Sequence, residues 1–133
     1  MTSDSIYFAC QDVIVRAFRA LDAREYDILA DLFAHDGVWY RLDQALTGPE
    51  AVRAAMAGRP ADLTTQHLVS NLVIDEDGEA EVVASYSIAA YAQTADKPFH
   101  LHAIFHATDR LRRDGAQWLF LSRKTAPAFP SHA

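Results

Sequence analysis

The chain carries six histidines in 133 residues, and imidazole is the side chain whose charge changes nearest neutral pH. His67 stands in Thr64-Thr65-Gln66-His67-Leu68-Val69-Ser70-Asn71, where alternation puts it on a partly polar face with Thr65, Val69 and Asn71. A strand histidine of this kind is ordinarily a satisfied core or rim residue. It becomes a general base when a carboxylate fixes its tautomer and stabilises the imidazolium that forms. Asp22, in Ala20-Leu21-Asp22-Ala23-Arg24, closes a helix, where the dipole disfavours an acid. It is either a solvated loop acid or one held there by a specific partner.

His100, His102 and His106 fall on one face of a later strand, with Ile104, Thr108 and Arg110. His-x-His can present two imidazoles to a metal, but such a site needs a third ligand and groups that orient the first two. A polar pocket wall or wet strand end is the plainer reading, and no metal is expected. Trp39, Tyr40, Tyr86 and Tyr91 either line a cavity or fill the core, and Arg41, Arg110 and Arg123 read as surface or rim charges. Cys10, the single cysteine, falls on the apolar face of the first helix and reads as inert. No phosphate-cradling glycine loop, nucleophile elbow or metalloprotease helix is present.

The elements that must hold these residues follow from periodicity. Ile6, Cys10, Val13, Ile14, Ala17, Phe18 and Leu21 have helical spacing over 5–21, with Ser3 or Asp4 as cap. A short helix fits 25–33 and is stopped by His35-Asp36-Gly37. Val38 to Leu42 reads as a strand, and Thr47-Gly48-Pro49-Glu50 as a capped helix start that runs past Met56 to Gly58-Arg59-Pro60. From Thr64 the period becomes two. Strands are predicted over 64–74, 79–91, 99–111 and 117–124, with turns at Asp75-Glu76-Asp77-Gly78 and Arg113-Asp114-Gly115. Leu68, Leu72 and Ile74 are expected on one face of the first of these, and 126–133 as an irregular tail.

Helices followed by a meander of long antiparallel strands mean an α+β fold. Long strands twist and curl, so the sheet should wrap the helices as a cone and leave an open-ended cavity. Phe105 and Ala107 are expected on the opposite sheet face, which suggests a second buried surface and a homo-oligomer, dimer or trimer. One domain over 1–133 suits the length. Twelve Lys and Arg against 18 Asp and Glu give a net charge of −6, which argues against nucleic acid as a partner. No stretch approaches the ~20 apolar residues of a membrane span. The start, Met-Thr-Ser-Asp-Ser, lacks the order of a signal peptide, so a cytoplasmic protein is expected.

Taken in order, Ala20-Leu21-Asp22, Asp31-Leu32-Phe33 with Val38-Trp39, Thr47-Gly48-Pro49-Glu50, Gln66-His67 with Asn71, and Asp114-Gly115 with Trp118 resemble the SnoaL-like branch of the NTF2-like, cystatin-like superfamily. The resemblance covers roughly Ile6 to Lys124 and is greatest to the scytalone dehydratase and lindane dehydrochlorinase group. It implies a proton-abstracting histidine at His67 oriented by an aspartate at Asp22, with no cofactor. It also implies pocket positions at Ile104 and His106, and at Trp39. The second histidine of the dehydratase is missing, since the corresponding stretch is Ala90-Tyr91-Ala92, with Tyr91 or Tyr86 as the polar substitute. The two acids and tyrosine of ketosteroid isomerase find no clear positions. The superfamily also holds polyketide cyclases, dioxygenase small subunits and non-catalytic binding domains, so fold alone leaves function open. The expected function is a lyase or isomerase acting on a small hydrophobic molecule, with His106 or Tyr91 as proton donor. The alternative is a binding or accessory domain that uses the same cavity without turnover.

Overall fold

A computed structural model describes residues 2–78 and 80–129. Helix α1 (Ser3–Asp22) begins two residues earlier than the pattern suggested, because Thr2, and not Ser3 or Asp4, is the cap and its hydroxyl accepts from the Ser5 amide at 3.1 Å. Its apolar stripe, including Cys10, Ile14 and Ala17, is fully buried. Helix α2 (Tyr26–Asp31) is shorter than expected, since Phe33 already belongs to strand β1 (Phe33–Arg41).

That difference has a tertiary cause. Phe33 pairs in parallel with Phe120 and stacks on Trp39, so a ladder and two ring contacts outweigh local helix propensity. His35 and Gly37 therefore lie within β1 and do not stop a helix. Gly37 is not in the left-handed region. Its hydrogen matters because a Cβ there would strike the Phe120 carbonyl oxygen.

Strand β2 (Gln44–Thr47), absent from the sequence reading, returns antiparallel to β1 through a two-residue turn at Leu42-Asp43. Helix α3 (Gly48–Ala57) starts at Thr47 as anticipated, but the Thr47 side chain makes no capping bond, and Pro49 and Gly48 alone set the entry. Strands β3 (Thr64–Asp77), β4 (Glu81–Gln93), β5 (His100–Asp114) and β6 (Gln117–Pro127) complete a six-stranded sheet in the order β2-β1-β6-β5-β4-β3. All pairs are antiparallel except β1 with β6. The fold is α+β, with a curved, unclosed sheet around the helices. Residues 126 and 127, expected in the tail, extend β6, and the Ala128 amide donates to the Ile104 carbonyl at 2.8 Å. The end of that tail, from 130 with His132, lies outside the described residues.

Irregularities in the long strands decide which side chains face the core. The register slips between Ser70 and Val73, where Asn71 sits at φ 58°. Thr65, His67 and Val69 face inward before this bulge, and Leu72 and Ile74 after it. Asn71 does not share the His67 face, and Leu68 is half exposed instead of lying with Leu72 and Ile74. The face assignment of β5 is also reversed from expectation. Ala107, Asp109 and Leu111 are buried and Phe105 packs against the core, whereas His106 and Thr108 are exposed.

Candidate active site

Asp22 is the last residue of α1, and its carboxylate reaches sideways to the adjoining strand β3. Asp22 Oδ2 accepts from the His67 backbone amide at 2.8 Å. Oδ1 lies 2.9 Å from the Thr65 hydroxyl, which donates to it, and 2.6 Å from His67 Nδ1. The specific partner that a helix-terminal acid needed is therefore β3 itself. An ionised carboxylate can only accept from the ring, so Nδ1 carries a hydrogen, and in the neutral imidazole the lone pair is then on Nε2. The pair is well shielded, with side-chain exposures of 15% for His67 and 12% for Asp22, and the Phe18 ring lies 5.3 Å from the imidazole.

Behind this pair stands Arg59, from the segment after α3. Its guanidinium donates to the Thr65 hydroxyl at 3.2 Å, the Tyr26 hydroxyl at 3.0 Å and the Leu21 carbonyl at 3.3 Å. Thr65 thus uses its hydrogen on Asp22 and a lone pair on Arg59, which locks the direction of the chain. It also ties the end of α1 to the start of β3.

His67 lines a cavity of about 270 Å³ whose wall is largely apolar, with Leu21, Trp39, Leu63, Ile88 and Phe105. Its polar groups include Arg41, Tyr91, His102 and Arg123. Trp39 and Tyr91 are thus brought to the same cavity as His67, and Asp22 sits directly behind the imidazole. Four other expected pocket residues are elsewhere. Tyr86 is buried and donates to Asp109 Oδ2 at 2.6 Å, and burial raises its hydroxyl pKa well above the usual 10.0. Tyr40 is 42% exposed on the outer side of β1, with Lys124 Nζ 4.8 Å from its ring centre. Ile104 and His106 do not line the cavity, and His106 faces outward because its parity on β5 is opposite to that of Phe105.

The same reversal brings in residues that sequence reasoning passed over. Asp109 and Arg123 are directly paired across β5 and β6, with Nε to Oδ1 at 3.2 Å and Nη2 to Oδ2 at 3.0 Å. Arg123 is 1% exposed and not a rim charge; its guanidinium carbon lies 4.1 Å from the Phe120 ring and 4.7 Å from the Phe18 ring. An acid at 109 within the apolar set Phe105, Ala107 and Leu111 was a readable signal of a buried pair. Arg123 carried no such signal, because it turns inward only through the register shift opposite Arg110 and Leu111. His100 Nδ1 lies 2.8 Å from the Pro98 carbonyl oxygen. Among the described residues no group of three or more His, Cys, Asp or Glu is placed to hold a metal ion.

Residues 6–124 match the SnoaL-like domain family. No curated protein sequence matches the chain. A protein from Catenulispora acidiphila, solved in complex with S-DNPA, superposes with a TM-score of 0.82 at 23% identity, covering 92% of this chain and 93% of that one. An NTF2-like protein with a cystatin-like fold from Novosphingobium aromaticivorans gives a TM-score of 0.80 at 19% identity over 92% and 82% of the two chains. A protein from the same organism, provisionally described as a scytalone dehydratase, gives 0.82 at 22% identity over 91% and 83%. At these identities the likeness establishes the fold.

Proposed function

The chain belongs to the SnoaL-like domain family, and from that premise we propose that it is a lyase or isomerase acting on a small hydrophobic substrate through a His67–Asp22 general base. The observation that carries this reading is the 2.6 Å contact of His67 Nδ1 with Asp22 Oδ1 in the wall of a largely apolar cavity. With Nδ1 committed to the carboxylate, Nε2 accepts a proton from an acidic carbon or hydroxyl of the substrate. The electron pair released then expels a leaving group on the neighbouring carbon or moves into a conjugated carbonyl. Asp22 holds the ring in position and stabilises the imidazolium until the proton is returned. Tyr91, stacked on Phe99 with ring centres 5.3 Å apart, takes the role of proton donor to the leaving group. The chain's own side chains suffice for every step of this scheme.

Two structural relatives bear on the substrate class: one was solved with S-DNPA, and another is provisionally described as a scytalone dehydratase. A panel of small aromatic and alicyclic compounds with a β-leaving group tests the reading. His67→Ala should lower turnover about 100- to 10,000-fold while leaving the folded state intact. Equal rates in the two proteins would remove the general-base role from His67, and no turnover in either would favour a binding module. The same reading keeps the chain a cytoplasmic homo-oligomer, dimer or trimer, although Phe105 and Ala107, the residues first held to signal self-association, face inward. Light scattering on the purified protein decides the oligomer.

A further inference from the structure

The cavity wall contains three arginines, Arg41, Arg59 and Arg123, and among the described residues no Asp or Glu. Two of these charges are answered within the protein. Arg123 is held by Asp109 through two hydrogen bonds. Arg59 faces Asp22 through the Thr65 hydroxyl that both share. Arg41 has no hydrogen-bond or ion-pair partner among the described residues; its guanidinium carbon lies 5.8 Å from the Trp39 ring centre. It is nevertheless half-buried. Burial, and then the like charge of Arg59, pull its pKa below the usual 12.5. A partly dehydrated cation beside a second one is unfavourable, and a bound anion would relieve both effects.

We infer that the cavity takes a carboxylic acid, with Arg41 receiving the carboxylate and the apolar body of the ligand lying against Trp39, Phe105 and Ile88 toward His67. This deepens the proposed reaction and rests on reading the cavity as the substrate site. One unanswered positive charge calls for one negative charge on the ligand. The planar guanidinium fork matches a carboxylate in a way a lysine would not. The small size and mainly apolar wall of the cavity suit a one- or two-ring acid. The position of Arg41 is set by the β1–β2 turn, where Leu42 adopts φ 55° and Arg41 pairs with Gln44.

Calorimetric titration of the whole protein with 2-naphthylacetate and with the neutral 2-(2-naphthyl)ethanol tests this directly. The acid should bind at least about tenfold more tightly than the alcohol, the worth of one charge-assisted contact. Arg41→Gln should abolish that preference by weakening acid binding about tenfold or more relative to the alcohol, and Arg41→Lys should restore only part of it. A thermal melt near that of the wild type establishes that both variants are folded. Equal binding of acid and alcohol, retention of the preference in Arg41→Gln, or no binding of the acid at millimolar concentration would each overturn the inference. His67→Ala separates the two readings, because it should keep the acid preference while losing turnover. If His67→Ala instead turns over as fast as wild type while still preferring the acid, the catalytic reading falls and the anion subsite stands.

Discussion

Two carboxylates are each paired with a group that lies near the Phe18 ring, and their neighbourhoods differ in one respect that separates a structural pair from a chemical one. Asp109 pairs with Arg123, whose guanidinium carbon is 4.7 Å from the Phe18 ring, and Asp22 pairs with His67, whose ring is 5.3 Å from it. Both acids are shielded and both accept several hydrogen bonds. Arg123, however, is always charged and has no proton to give. The imidazole of His67 has a second nitrogen left over and borders an open cavity. A buried ion pair with every group satisfied holds a fold together, whereas one with a titratable member and a vacant lone pair can move protons.

The contrast can be broken most sharply at Asp109. Asp109→Ala leaves Arg123 buried and unpaired between aromatic rings, and should destabilise the fold by about 3–5 kcal/mol in urea unfolding. Replacing the whole cluster, Asp109→Leu with Arg123→Met and Tyr86→Phe, should recover most of that loss, since a well-packed apolar set avoids the desolvation cost and leaves no buried hydroxyl without a partner. Failure of the triple variant to recover would mean the cluster does more than satisfy itself. At Asp22 the loss should appear in rate instead. Asp22→Asn should lower turnover by about 100-fold or more, by releasing the imidazole from its tautomer, with a stability change of only about 1 kcal/mol. A loss of stability as large as that at Asp109 would erase the distinction.

Tyr86→Phe removes the hydroxyl that donates to Asp109 and should cost about 1.5–3 kcal/mol, the range for a hydrogen bond to a charged acceptor. Its pH dependence carries a definite sign. Burial raises the pKa of Tyr86 in the folded chain above 10.0. Above that value the unfolded chain releases a proton that the folded chain keeps, so stability is full below about pH 10 and falls as pH rises beyond it. Tyr86→Phe should remove this alkaline loss, which unfolding curves between about pH 8 and 11 would show. The smallest effect is at the cavity mouth. Leu42→Gly relieves the φ of 55° at the price of a looser unfolded chain, for a net gain of up to about 1 kcal/mol.

Much of this arrangement was legible beforehand. The spacing of Ile6 to Leu21 announces α1, and with it the end of that helix at Asp22. Alternation from Thr64 announces β3 and puts His67 and Thr65 on one face. What failed were inferences that carried parity through an irregularity. Counting by twos past Asn71 misplaced Leu68, and counting through β5 sent His106 into the pocket and Phe105 out of it. Helix propensity likewise carried α2 as far as Phe33, which the ladder with β6 claims for β1.

The sequence by itself determined the element types, the order of helices before strands, and the local addresses of Asp22 and His67, because these depend on periodicity and on neighbours in the chain. Only the tertiary structure decided which strand residues turn inward past a bulge, since one extra residue inverts a period of two. Tertiary structure alone also decided which charges are answered. Arg123 can be buried because Asp109 comes from another strand, and Arg41 is left facing a cavity because no acid among the described residues lines it. Pairing across elements, and not residue type, separates a rim arginine from a buried one.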